Sequence, residues 1–264
     1  MNAAEEDEHL PPSIGGLIGF ALSGWLANAQ LYIVLAACMF ALIGIAEYVI
    51  PAAATSTPQG VFKLIVLEFT DLFAGSFIVA AVALGVAARG LGTPLSPRTL
   101  AGGATERWLP VIAVTFLCQT VIMLTNAYSG LDTPPEPRAL VYVGAPITWI
   151  LWGILGLTGP FVALAQSRAA LTVLVGFGHA FTASLRRGNL LRLCVLAVIT
   201  VLPVALEAML QNALVQRHAA RPIFWANIPI DVLTVGPLAA IQTAFALDFV
   251  RRMGRPDPSA DPPR

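Results

Sequence analysis

Glu68 and Asp71 stand three residues apart in VFKLIVLEFTDLFAGSFIVAAVALGVAA, a stretch that is otherwise almost wholly apolar. On a helix that spacing puts both carboxylates on one face. Acids crowded together in a low dielectric cannot all ionise, so such a pair holds a proton or a cation. Further polar residues extend the pattern: Glu47, Glu207 and Asp231 are the other acids of the apolar segments assigned to the same half of the bundle, and Thr115, Gln119 and Asn126 line up on one helical face. Glu207 and Gln211 are i, i+4, Asp231 and Thr234 are i, i+3, and Gly75 prolongs the acidic face. The chemistry expected is a water-filled polar cavity lined by Glu68, Asp71, Gln119, Asn126, Glu207 and Asp231, open to the outside and serving a cation or proton path. The competing expectation is structural. The same acids would tie helices together, through Lys63, Arg217, His218 or Arg221 at the outer mouth or through Gln119 and Asn126. Lys63 is five residues from Glu68, a poor separation for a pair within one helix.

Such residues need elements that cross a bilayer. The chain has 264 residues, is 57% hydrophobic and 11% charged, and has a mean hydropathy of +0.77. A water-soluble domain carries about 25% charge, so this chain lacks the polar side chains to cover a wetted surface. Several apolar runs approach the ~20 residues that cross ~30 Å of hydrocarbon. The fold class expected is an all-α polytopic membrane protein with six transmembrane helices plus two amphipathic membrane-surface helices.

The spans are read at 31–50, 61–88, 109–128, 139–165, 190–214 and 223–250, with a short helix capped at Ser96 and Pro97 before the third. At ~1.5 Å per residue Glu68 then lies roughly 10 Å deep and Asp71 roughly 15 Å. Residues 14–26 put Ile14, Leu17, Ile18, Leu22, Trp25 and Leu26 on one face and Gly15, Gly16, Gly19, Ser23 and Gly24 on the other, the pattern of an interfacial helix. The rival reading is an extra span packed through the ladder Gly15, Gly19 and Ser23. Residues 167–188 are interrupted by glycines, end in paired arginines, and read as a helix resting on anionic lipid. The whole chain is one membrane domain: an acidic tail at 1–12, the interfacial helix at 13–28, the bundle at 29–253 and a disordered tail at 254–264.

Orientation follows from the cations. With the N-terminus inside, eleven arginines fall on the inner side against four cations on the outer side, placing both termini in the cytoplasm. Arg186, Arg187, Arg192, Arg251 and Arg252 are the expected membrane-surface anchors, with Asp248 pairing Arg251 and Arg252 at i+3 and i+4. The start of the chain is acidic and is not expected to be a cleaved signal peptide. Arginine-rich, alanine- and leucine-heavy usage suits a GC-rich bacterial genome.

Two segments carry a resemblance. One is Thr182, Leu185, Arg186, Arg187, Gly188, Asn189, Leu190, Leu191, Arg192 and Leu193; the other is ALDFVRR, with Asp248, Arg251 and Arg252. In their order behind an interfacial helix they look like the six-span bacterial family that includes the membrane domain of some glycerophosphodiester phosphodiesterases and many stand-alone uncharacterised inner-membrane proteins. Thr182 stands where that family usually has Ser, the first helix has Gly and Ser in place of charges, and ALDFVRR lacks the family's tyrosine. The resemblance implies an architecture and an inner-membrane location. It implies no catalysis, because the hydrolase chemistry of the fused proteins lies in a separate soluble domain.

The remaining signals are bland. Cys38, Cys118 and Cys194 lie in apolar stretches without metal-ligand spacing, and His9, His179 and His218 are scattered. Trp149 and Trp152 read as packing or lipid-facing residues. No Gly-x-Ser-x-Gly, phosphate-binding loop or His-Glu-x-x-His occurs. The expectation is a non-enzymatic inner-membrane protein of the lipid environment or of a membrane assembly, without cofactor or metal. Membrane lipids, other membrane subunits or a second copy are its expected partners, and nucleic acid is not. The alternative is a small transporter coupled to cations or protons through the acids of the outer half.

Overall fold

The computed structural model describes residues 10–49, 57–93, 95–129, 139–165, 171–186, 188–216 and 222–254. Among these residues there are eight helices and no strand: α1 Ile14–Leu26, α2 Ala29–Val49, α3 Pro58–Gly90, α4 Pro97–Ser129, α5 Ala139–Leu164, α6 Leu171–Leu185, α7 Leu190–Gln216 and α8 Pro222–Gly254. The all-α class and most boundaries agree with the sequence. The exception is the region before the third span, where the expected short helix and span form one helix, α4. Pro110 removes a single backbone donor inside it without breaking it.

Local chemistry sets the ends. Ser13 and Thr57 accept from the backbone N–H groups of Gly16 and Gly60, capping α1 and α3, and Pro58 occupies the first turn of α3. Gly92 (φ +67°) and Gly188 (φ +86°) take left-handed conformations that bulkier residues resist, and so reverse the chain after α3 and after α6. Beside Gly188, the buried Asn189 donates its side-chain N–H to the carbonyl of Ala183, covering an acceptor left at the end of α6.

Two helices, Pro58–Gly90 and Pro229–Arg252, are long and apolar enough to cross a membrane, with a third span if Ile14–Leu26 and Ala29–Ile45 count together across their 74° bend. Six spans are therefore not reached among the described residues. Arg98, Glu106, Arg107 and Pro110 dilute the first half of α4, while α5 and α7 contribute only the shorter apolar stretches Leu151–Leu164 and Leu190–Leu202.

Packing also changes the topology expected for α6 and α1. Gly176 lets α6 close onto Val162, and His179 meets Phe161 edge-on, so α6 turns back along α5. As a result α5 and α7 run the same way: Gly153 faces Leu193 and Ala197, and Gly156 faces Thr200. α8 then runs against α7, with Asp248 beside Arg192 and Gln242 beside Thr200. The helix expected to rest alone on lipid is the returning limb of a hairpin.

α1 lies lengthwise along α8, with residue 10 bonded to Arg251 and Trp25 against Gly236. Its buried face is Leu17, Ala21 and Gly24, and no atom lies within 4 Å of a Cβ at Gly15 or Gly19, so that glycine ladder is not a packing seam. The two ends of α1 touch different arginines. Gly24 meets Arg89 at one end, whereas Arg192 and Arg251 hold residues 12 and 10 at the other. The arginines that the cation count places on one side thus touch opposite ends of α1. Leu10 and Arg251 meet at one end of the bundle.

The close approach of α5 and α7 is testable. A Cβ at Gly153 would stand 2.9 Å from Leu193 Cδ1 and 3.0 Å from the Leu193 carbonyl oxygen, a backbone atom that cannot swing away. Gly153→Ala is expected to cost about 1–3 kcal/mol, read as a lowered thermal unfolding midpoint in detergent. Gly19→Ala, with open space around it, is expected to be neutral or to stabilise by up to about 1 kcal/mol through helix propensity.

Candidate functional site

Two groups of polar side chains stand out. The first gathers where α6 ends, α7 begins and α8 ends. Asp248 is fully buried and faces three guanidinium groups: Arg251 Nη2 at 2.5 Å from Oδ1, Arg252 Nε at 2.8 Å and Arg192 Nε at 3.0 Å from Oδ2. The i+3 and i+4 pairs follow from helical spacing. Arg192 arrives from α7 because α7 and α8 are antiparallel there. The same arginines reach the start of the chain: Arg251 Nη1 donates to the Leu10 carbonyl at 2.6 Å and Arg192 Nη2 to the Pro12 carbonyl at 2.6 Å. Arg186, at the end of α6, donates to the Arg252 carbonyl.

One carboxylate therefore holds three pieces of chain: α8, α7 and, through Arg192 and Arg251, residues 10–12. Arg186 ties α6 to the backbone of α8 independently of that carboxylate. The helix dipoles act unevenly on it. Arg251 and Arg252 occupy the last turn of α8, where cations are favoured, but Arg192 sits in the first turn of α7, where they are not. Of the five expected surface anchors, Arg192 and Arg251 are mostly buried, Arg252 is partly exposed and Arg186 is half-buried. They meet inside the fold, not as separate side chains at its edge. Arg187 lies outside the described residues.

The second group surrounds a cavity of about 200 Å³ between α3, α4, α5, α7 and α8, lined by Val79, Thr115, Cys118, Trp152, Thr158, Thr200 and Gln242 together with Leu155, Gly156, Gly159 and Pro160. Its hydrogen bonds consume donors. Thr115 donates to Val111 O (2.8 Å) and Thr158 to Leu155 O (2.6 Å), so the 3.1 Å contact between Cys118 Sγ and Thr158 Oγ1 uses the thiol proton. Gln242 donates to Thr200 across 3.4 Å. Pro160 has no N–H, so the Gly156 carbonyl loses its helical partner at the cavity wall. Gly156 itself makes room: a Cβ there would stand 2.9 Å from Gln242 Nε2.

This cavity is neutral among the described residues, and of the six residues expected to line an acidic one only the side chain of Asp231 is described. Glu68 and Asp71 lie on α3, Gln119 and Asn126 on α4, and Glu207 on α7, but their side chains lie outside the described residues. Asp231 is half-buried on α8, makes an interaction of its own, and does not line the cavity. Thr115 was legible as part of a polar helical face. Thr158, Thr200 and Gln242 were not, since each is a single neutral residue in an apolar run, and Trp152, expected to pack or face lipid, lines the wall. No group of three or more His, Cys, Asp or Glu with metal-binding geometry occurs among the described residues.

Removing one side of a buried ion pair strands the other charge, a loss of about 3–5 kcal/mol. Asp248→Asn is accordingly expected to lower the thermal midpoint by several degrees. Arg252→Gln, which removes the most exposed of the three guanidinium groups, should lower it less. Equal midpoints for Asp248→Asn and the parent chain would show that the carboxylate does not hold this corner together.

No family model, curated protein or solved structure matches the chain, so the resemblance to the six-span bacterial family rests on the residues quoted for it.

Proposed function

We propose that this chain is an integral membrane protein with a non-enzymatic role, an architectural component of the lipid environment or of a membrane assembly. The observation that carries the reading is the outward surface of the long helices. On α7, Leu191, Val198, Leu202, Leu206 and Met209 are all exposed, and on α3 so are Val61, Phe62, Ile65, Phe69 and Phe73. Stripes of this kind facing water would be costly, whereas against acyl chains they cost nothing. In this reading α3 and α8 cross the bilayer, the other helices pack around them, and the chain ends held by Asp248 lie on one side. A bacterial inner membrane is the location that the composition and the family resemblance favour. Membrane lipids, and other subunits or a second copy, are the proposed partners.

The non-enzymatic part rests on how the ionisable groups are used. Asp248, Arg192, Arg251 and Arg252 are engaged in holding chain segments together, and the cavity offers neutral hydroxyl, thiol and amide groups. Those groups do not favour the cation-coupled alternative, which depends on the six polar residues of the outer half.

Alkaline carbonate extraction of membranes is expected to leave the chain in the pellet. Tags placed at each terminus should become accessible to protease from the same side of a sealed vesicle. Release of the chain by carbonate would overturn the membrane reading, and accessibility from opposite sides would overturn the shared placement of the ends.

A further inference from the structure

Among the described residues, the corner around Asp248 carries more positive charge than its one carboxylate balances. Arg192, Arg251 and Arg252 share that carboxylate and have no other anionic partner among the described residues. Burying like charges in a poorly hydrated site is unfavourable unless a counter-ion joins them. Two features sharpen the imbalance. The starts of α1 and α7 both lie here, next to Pro12 and Arg192, and neither helix has an acid in its first turn, so two positive helix ends add to the guanidinium groups. The side chain of Arg251 is only 8% exposed, and its Nε has no hydrogen-bond partner. Arg192 Nε is likewise unsatisfied, lying close to Asp248 without directing its N–H at an oxygen.

We infer that this corner binds a phosphate-class oxyanion, and that its source is the headgroup of an anionic phospholipid. Guanidinium forks match the geometry of phosphate oxygens and bind them through charge-assisted hydrogen bonds. The lipid source follows from what borders the arginines. Phe181 and Leu185 on α6, Leu190 and Leu191 on α7, and Val250 on α8 are all exposed, within a few residues in sequence of Arg186, Arg192 and Arg251. In this inference acyl chains pack against these exposed side chains while the headgroup reaches inward past Arg252, whose side chain is 29% exposed. A free phosphate would leave those exposed apolar side chains without a role. The inference rests on the membrane reading for its lipid source.

The test uses the full chain purified in a neutral detergent, with lipid binding followed by native mass spectrometry. Phosphatidylglycerol is expected to bind as a retained copy, and phosphatidylcholine is not. R252Q should weaken phosphatidylglycerol binding about tenfold, the effect of losing one ionic hydrogen bond. D248N should strengthen it, because removing the competing carboxylate leaves more positive charge for the headgroup. A merely structural carboxylate would give the opposite sign, since a loosened fold binds less. Should D248N fail to fold, R252Q still decides, because Arg192 and Arg251 remain on Asp248. Equal retention of the two lipids, or retention unchanged in R252Q, would overturn the oxyanion site. Inorganic phosphate raising the thermal midpoint while phosphatidylglycerol is not retained would overturn the lipid source. Release by carbonate is a separate failure that concerns the membrane reading and leaves this titration in detergent readable.

Discussion

The Asp248 carboxylate is the constraint on which the arrangement of this corner depends. A charge with no exposure to solvent must be matched by charges and donors close by, and here the matching groups come from far apart in the chain. Arg192 is brought by α7, Arg251 and Arg252 by α8 itself, and two of these arginines extend to the carbonyls of Leu10 and Pro12. An ion pair alone would gain little against its desolvation. What it fixes is register: Arg192 meets Asp248 only if α7 and α8 run in opposite directions with these residues level, and residues 10–12 dock only where both arginines present their free nitrogens. The position of α1 along α8 follows from that docking, through Leu17 and Ala21, both fully buried.

The sequence makes the local part of this legible and leaves the long-range part hidden. Helix boundaries follow from Ser13, Thr57, Pro58, Gly92 and Gly188, whose chemistry acts within a few residues, and the pairing of Asp248 with Arg251 and Arg252 follows from helical spacing. Arg192 could not be assigned to the same carboxylate, because nothing in its neighbourhood states the direction of α7 relative to α8. That direction is set by α6. A glycine-interrupted stretch of 15 residues in α6 has the composition of a surface helix as much as of a returning limb. The deciding feature is the missing side chain at Gly176 against Val162, a contact between two residues that periodicity cannot relate.

The polar interior shows the same division. Acidic residues in apolar runs attract attention because charge in hydrocarbon is costly, so Glu68, Asp71, Glu207 and Asp231 dominate a reading by composition. The cavity seen among the described residues is built from residues whose polarity is mild and whose placement depends on packing. Gly156 and Gly159 let helices approach, Pro160 frees a carbonyl, and Thr115, Thr158, Thr200 and Gln242 turn toward the space that results. Each threonine that returns its proton to its own helix can stay in an apolar setting at little cost. That is why such residues leave almost no trace in hydropathy.

In the membrane reading proposed above, the distribution of arginines bears on how the chain would sit in a bilayer. A charge-bias rule counts cations by loop and assumes that successive helices alternate across the membrane. Once α6 returns along α5, an additional reversal enters, and Arg89 separates from Arg192 and Arg251 by the length of α1, about 20 Å for its 13 residues. The two groups also differ in kind. Arg89 is exposed, as a cation attracted by headgroups in general would be. Arg192 and Arg251 are withdrawn into the fold around a carboxylate, where general attraction to a charged surface is weak and only a group that enters between the helices meets them. A count of positive charges treats these as equal, but in the membrane reading their burial suits the first to the membrane's field and the second to a specific contact.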